Sequence, residues 1–267
     1  MIRTITRLMK TRVDLWEAVL VAIFGLVLLY GLRPVPFAEV QSAREIDEFR
    51  ARYGPGRNSE REEEWLIRDF FQDRRGGFFV DVGANHYRVA SKTYYLETEL
   101  GWSGIAIEPL KEFAADWGRY RSRTRFFPLF VSSASDETAK LYVLRAQSSV
   151  ASSNQAFVRQ FGEPDEVRTV PTVALNDLLD RERVQKIDFL SMDIELHEPE
   201  ALKGFDIDRF RPELVCIEGL REVRQPILDY FARHQYVIIG RYIWVDRENF
   251  YFKPLPPAAD GRSSTTH

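Results

Sequence analysis

One cysteine in 267 residues, Cys216, excludes a disulfide framework and any cysteine-based zinc site. It lies in the apolar run ELVCIE over residues 213–218, where a thiol reads as an inert member of a buried strand. Histidine is equally scarce. The four histidines, His86, His197, His234 and His267, form no HExxH pair. The spacing of the acids and histidines calls for no metal either. The phosphate-binding loops are missing too. There is no GxxxxGK[ST], and the turn VGANHY after the first strand has one glycine where a dinucleotide fold carries three. Nor is there a charge excess of one sign. A net charge of −3 implies no polyanionic partner, so nucleic acid is not expected.

What is present begins at the N-terminus. Residues 1–14 are basic, with Arg3, Arg7, Lys10 and Arg12. Residues 15–32, LWEAVLVAIFGLVLLYGL, are apolar except for Glu17. Spanning a bilayer takes roughly 17–25 such residues, whereas the apolar core of a cleaved signal peptide runs to about 7–15. A single-pass membrane anchor is therefore expected over 15–32. A charged linker with a helical stretch is expected over 33–75. Arginines Arg33, Arg44 and Arg50 follow the apolar run, so the basic bias weights the N-terminus toward the cytoplasm.

From Gly76 the pattern alternates. GFFVDVGA, SGIAIEP, TRFFPLFVS, AKLYVL, KIDFLSMDIE and RPELVCIEG read as strands. RVASKTYYLETEL, LKEFAADWGRYR, ALNDLLDR, EPEALKGF and QPILDYFARH read as helices. Pro128 weakens the middle of the third strand. YVIIGRYIWVDRENFYF supplies a closing antiparallel hairpin, and the tail over 254–267 reads as disordered. The fold class is α/β: a Rossmann-like, doubly wound, mostly parallel sheet over 76–253. In such a sheet ligands bind beyond the carboxyl ends of the strands, at the point where strand order reverses.

Four strand ends carry acids. Asp81 precedes Gly83, whose missing side chain allows close backbone approach; Asp81 either faces a ligand or caps the next helix. Glu108 ends the second strand, 27 positions beyond Asp81, where a carboxylate suits the two hydroxyls of a ribose. In SMDIELHE, Asp193 and Glu195 share a side if the strand persists, and His197 follows two residues later. Together they suit an acid–base set or a divalent cation, or else they bias a helix N-terminus. Glu218, the fourth, either lines the same cleft or ends its strand idly.

FFVDVGAN, ELGWSGIAIEP, VPTVALNDLLD, KIDFLSMDIELHEPEALKGFD and RPELVCIE, taken in order, resemble the successive motifs of FkbM-type methyltransferases. The resemblance implies an enzyme dependent on S-adenosylmethionine that methylates a hydroxyl of a sugar, glycolipid or small metabolite. It implies that Asp81, Gly83 and Asn85 surround the methionine part of the cofactor and that Glu108 holds its ribose. Ser132 and Ser133 would meet the adenine. Asp193 and Glu195 would face the transferring methyl, with Asp193 as base and His197 as second choice. The chain departs from the family at His86–Tyr87 and Leu196, where glycine is usual. A membrane-anchored methyltransferase-like domain that binds without catalysing is the alternative. A cytosolic cofactor also opposes the charge bias, which leaves the side of the domain open. A lipid-linked or small-molecule acceptor is the expected partner.

Overall fold

The structure, a computed structural model, describes residues 37–256. The basic segment over 1–14, the apolar run over 15–32 and most of the expected tail lie outside the described residues. Among the described residues no helix is long and apolar enough to cross a membrane. The chain divides into two compact units, residues 1–44 and 45–267, and the second holds the sheets.

In chain order the helices are α1 (Phe37–Tyr53), α2 (Glu63–Phe71), α3 (Tyr94–Thr98), α4 (Ala114–Tyr120), α5 (Gln155–Val158), α6 (Leu175–Arg181), α7 (Glu198–Lys203), α8 (Ile207–Phe210) and α9 (Arg224–Arg233). The strands are β1 (Phe78–Val82), β2 (Ser103–Ile107), β3 (Thr124–Phe127), β4 (Phe130–Ser132), β5 (Thr138–Val143), β6 (Glu166–Ala174), β7 (Phe189–Met192), β8 (Leu214–Glu218), β9 (Tyr236–Ile238) and β10 (Asn249–Pro254).

Seven strands form one sheet in the order β3-β2-β1-β7-β8-β10-β9. The first five run parallel, and β10 is antiparallel to both β8 and β9. The chain winds outward from β1 to β3 and then returns to the other side of β1. The reversal therefore falls between β1 and β7, where a doubly wound sheet opens its ligand crevice.

The central strands are apolar on both faces because helices cover both. Alternation along each strand sorts the side chains. Val80, Val82, Leu190, Met192, Val215 and Ile217 enter one core with α6, α7, α8 and α9. Phe79, Phe189, Leu214 and Cys216 enter the other with Phe49, Trp65, Leu66, Phe71 and Trp102. Cys216 is thus the buried strand thiol expected of it, and burial pushes its pKa up. The second core also places residues 45–75 inside the domain rather than in a linker. The charges that suggested a linker there are themselves partnered: Arg68 donates to both oxygens of Asp73, and Glu64 accepts from the backbone and side chain of Asn58.

Pro128 does more than weaken a strand. It divides the expected third strand into β3, at the edge of the large sheet, and β4, which joins a second sheet ordered β4-β6-β5. In that sheet β6 pairs antiparallel with β5 and parallel with β4. β6 has no clear signal along the chain, because Pro171 interrupts it. Pro171 stands in register with Thr138, the first residue of β5, at the end of that strand pair.

The helix expected across residues 88–100 shrinks to α3. The loop before it directs its hydrogen bonds to a side chain instead. Arg121, at the end of α4, is 1% exposed. It donates to the Glu97 carboxylate, to the carbonyls of Tyr87 and Thr93, and to the hydroxyls of Ser91 and Thr93. Glu97 is also buried and accepts from the Thr124 hydroxyl and the Arg123 amide. Removing one partner of a buried ion pair strands the other charge. Glu97→Gln, nearly isosteric, should therefore lower unfolding free energy by about 3–5 kcal/mol in a urea titration. A loss under about 1 kcal/mol, typical of an exposed pair, would show that solvent reaches Arg121.

Candidate active site

The parallel register puts residues from neighbouring strands at one level. Asp81 pairs with Ser191, and Ser191 with Cys216. The next level on the same face therefore carries Gly83, Asp193 and Glu218, at the mouth of the β1/β7 crevice. A cavity of about 860 Å³ opens there, lined by Asp81, Gly83, Asn85, Lys92, Asp193 and Glu195 among others. Sites for small molecules run to about 300–1,000 Å³. A smaller recess of about 40 Å³ adjoins it, sharing Gly83, Asn85, Asp193 and Glu195 and adding Glu108, Val131 and Ile194.

Gly83 has φ +83°, and a Cβ there would lie 1.8 Å from the carbonyl oxygen of Asp193. Its role is to let the β1 turn and the end of β7 touch. Asn85 follows at φ +43°; its amide donates to Glu108 and its carbonyl accepts from Trp117 Nε1. Glu108 accepts from Asn85 through Oε2 and from the Leu110 amide through Oε1. Burial pushes its pKa up to about 7, against the pull of those two amides. Asp81 accepts from the Thr93 hydroxyl at 2.8 Å, and burial raises its pKa as well.

Sequence reasoning passes over Lys92, which falls inside an expected helix. Its ammonium is buried and lies 2.8 Å from Asp193 Oδ2 and 3.3 Å from Asn249 Oδ1. Burial works against its charge, yet Asp193 above all holds its pKa well above the ordinary lysine value. Glu198 also carries more than a helix bias. It lies in the first turn of α7, wholly buried, with Oε1 accepting the Ile194 amide. Ser148 and Ser149, in a stretch that reads as a plain serine-rich loop, line both cavities. Neither has a local signal, since only the β5–β6 connection brings them over the cleft.

The strand does not persist through Glu195. Glu195 and Leu196 both have positive φ, +57° and +77°, in a turn that leaves β7. The turn still brings ligand oxygens of Asp193, Glu195 and Glu218 within 4.8 Å of one another. Burial, followed by the charge of Asp193, pushes the pKa of Glu195 up to about 9 and that of Glu218 up to about 10. Leu196 occupies a left-handed backbone position that glycine prefers, and its side chain packs against both flanking apolar clusters, which compensates for the strain. At the His86–Tyr87 departure, His86 also lines the large cavity. His86 Nδ1 accepts the amides of Arg88 and Val89, and the two rings stack at 4.5 Å.

Three expected site residues stand elsewhere. His197 is held between the hydroxyls of Ser132 and Ser153, at 3.2 Å from each, beside the Phe130 ring. It is absent from the lining of both cavities, and burial lowers its pKa. Ser132 is engaged with that imidazole, and Ser133 donates to Glu200. The recess wall next to them is Val131 instead.

The profile of the Methyltransferase FkbM domain matches residues 81–238. No curated protein matches the chain. Among solved structures, an O-methyltransferase from Bacillus cereus in complex with SAH is 13% identical, with 86% of this chain and 96% of that one covered at a TM-score of 0.39. A methyltransferase from Geobacter sulfurreducens is 15% identical, with 88% and 96% covered at a TM-score of 0.37.

Gly54 offers a matched control for Gly83. Both have φ +83°, but nothing lies within 4 Å of a Cβ placed on Gly54. Gly54→Ala should cost only the left-handed penalty of about 1–2 kcal/mol. Gly83→Ala must also push the β1 turn away from the end of β7, and should cost about 3–5 kcal/mol by chemical denaturation. Equal costs would show that the two strand ends do not touch in solution.

Proposed function

The chain belongs to the FkbM methyltransferase family, with S-adenosylmethionine as its cofactor, and on that premise we propose that it O-methylates a hydroxyl of a sugar, glycolipid or small metabolite at a membrane. The observation that carries the reading is the Gly83–Asn85 turn clamped by Glu108, one strand away. It puts a carboxylate, an exposed backbone path and a cavity of adequate size at the sheet's reversal point. The cavity wall carries both signs, with Glu60, Glu63, Asp81, Asp193 and Glu195 facing Arg57, Arg88 and Lys92, which suits a ligand that has a carboxylate as well as an ammonium and a sulfonium. S-adenosylmethionine supplies an electrophilic methyl group on its sulfonium.

The protein's role is to orient and to handle a proton. Glu108 would accept from the ribose hydroxyls with the lone pairs its two amide contacts leave free. Asp193, its Oδ2 held by Lys92, would orient the acceptor hydroxyl and take its proton. Glu195, its pKa raised to about 9, would hold its own proton at neutral pH unless a cation displaced it, and so would donate a hydrogen bond rather than act as base. His197, turned to Ser132 and Ser153, is left to support the turn.

The proposed anchor is the apolar run over 15–32. It favours a lipid-linked or membrane-proximal acceptor, and an impermeant thiol reagent on a cysteine placed just after Leu32 reports which side the domain faces. With methyl-labelled cofactor, label should enter isolated membranes. Label confined to soluble sugars would remove the membrane-acceptor reading.

Cofactor binding is the primary test. Calorimetry should detect S-adenosylmethionine, and no heat at about millimolar ligand, far weaker than ordinary cofactor sites, would end the enzyme reading. Ionised Glu108 can accept from two hydroxyls, whereas its protonated form turns one oxygen into a donor. With a pKa of about 7, affinity should rise severalfold from pH 6 to pH 8. Glu108→Gln should bind more weakly and lose that pH dependence. If the variant keeps the slope, another group titrates.

A further inference from the structure

We infer that Asp193, Glu195 and Glu218 form a binding site for one hard divalent cation of the magnesium or manganese class. No spacing in the sequence required a metal; it is the register that brings the ligands together. Asp193 and Glu218 sit side by side on β7 and β8, and the left-handed turn at Glu195 folds its carboxylate back toward them. Their ligand oxygens lie within 4.8 Å of one another. Oxygens on opposite sides of a single magnesium- or calcium-sized ion stand about 4–5 Å apart, so the cluster needs little closure to coordinate one. Three carboxylates with no imidazole or thiolate select hard cations over zinc or copper.

A cluster of acids alone would be unremarkable, but here two carboxyl oxygens are buried at it without partners. Glu218 is 9% exposed, and its Oε2 is buried without a hydrogen-bond partner. Glu198, immediately behind, is wholly buried, and its Oε2 has no partner either. Buried carboxylate oxygens rarely go unpartnered, because desolvation is costly unless something replaces the water. Lys92 meets one carboxylate oxygen of the group, Asp193 Oδ2, and makes its second contact to Asn249. Neither contact reaches Glu218 or Glu198, and an ion would displace the protons that burial favours on Glu195 and Glu218. The cavity wall at Asp193 and Glu195 leaves an entry path and room for waters to complete the shell. An ion there would also acidify a hydroxyl bound to it, a role that rests on the methyl-transfer reading; binding of the ion itself does not.

The full chain, stripped with chelator and free of S-adenosylmethionine, should bind one Mn²⁺, read by loss of the free-ion electron paramagnetic resonance signal and reversed by excess Mg²⁺. Mn²⁺ should also raise the melting temperature, because the ion binds the folded state. Glu218→Gln and Asp193→Asn should each weaken binding by about tenfold or more, and Glu163→Gln, an exposed acid elsewhere, should leave it unchanged. In chelator, Glu218→Gln should melt no lower than the parent, since Glu218 Oε2 has no hydrogen bond to lose. Should it fail to fold, Glu195→Gln, on the turn rather than a strand, carries the same expectation for Mn²⁺. No saturable Mn²⁺ binding, or binding indifferent to these substitutions, overturns the site. So does displacement of Mn²⁺ by S-adenosylmethionine, because the carboxylates would then serve the cationic cofactor instead.

Discussion

The cleft depends on the buried guanidinium of Arg121. Its donors hold Glu97, the carbonyls of Tyr87 and Thr93, and two loop hydroxyls, which together define the path of the chain from β1 to α3. That path sets two contacts at the site. The Thr93 hydroxyl reaches Asp81, and the Lys92 ammonium reaches Asp193. A buried charge of this kind is held by several fixed acceptors at once, so it stabilises one loop conformation far better than alternatives. A loop with one glycine can therefore present a rigid site where a glycine-rich loop would rely on backbone amides.

A second constraint acts from the sheet. Parallel register and two-residue alternation bring Gly83, Asp193 and Glu218 to one level at the point where strand order reverses. Strand ends there are buried enough to shift carboxyl groups upward and open enough to admit a ligand. Glu108 and Glu195 both show that balance, with burial the largest cause in each case. Perturbed carboxyls gathered in a cleft are what an active site requires and what a purely structural sheet edge avoids.

The strands of the large sheet were legible because each is a short apolar run ended by an acid, a proline or a glycine. β6 was not, since Pro171 hides it, and β3 and β4 merged because a proline in a run shows weakening without showing where each half pairs. Residues 45–75 read as a linker from their charge. The buried aromatics Phe49, Trp65 and Phe71 carried the opposite message, which outweighs charge once the charges find partners. Among site residues, Asp81, Gly83, Asn85, Glu108, Asp193 and Glu195 meet at the cavities, while His197, Ser132 and Ser133 turn to one another or to α7.

The sequence by itself determined the alternation of strands and helices, the acids at the strand ends, the family motifs and the apolar run near the N-terminus. These are local properties: periodicity, composition and order along the chain. Only the tertiary structure decided that Lys92 neutralises some of the charge of Asp193, that Glu198 and Glu218 keep unpartnered oxygens, and that His197 leaves the cleft. Each of those depends on which side chain stands across a gap from which other. Lys92 and Asp193 are 101 positions apart, and no pattern along the chain encodes a 2.8 Å contact between them.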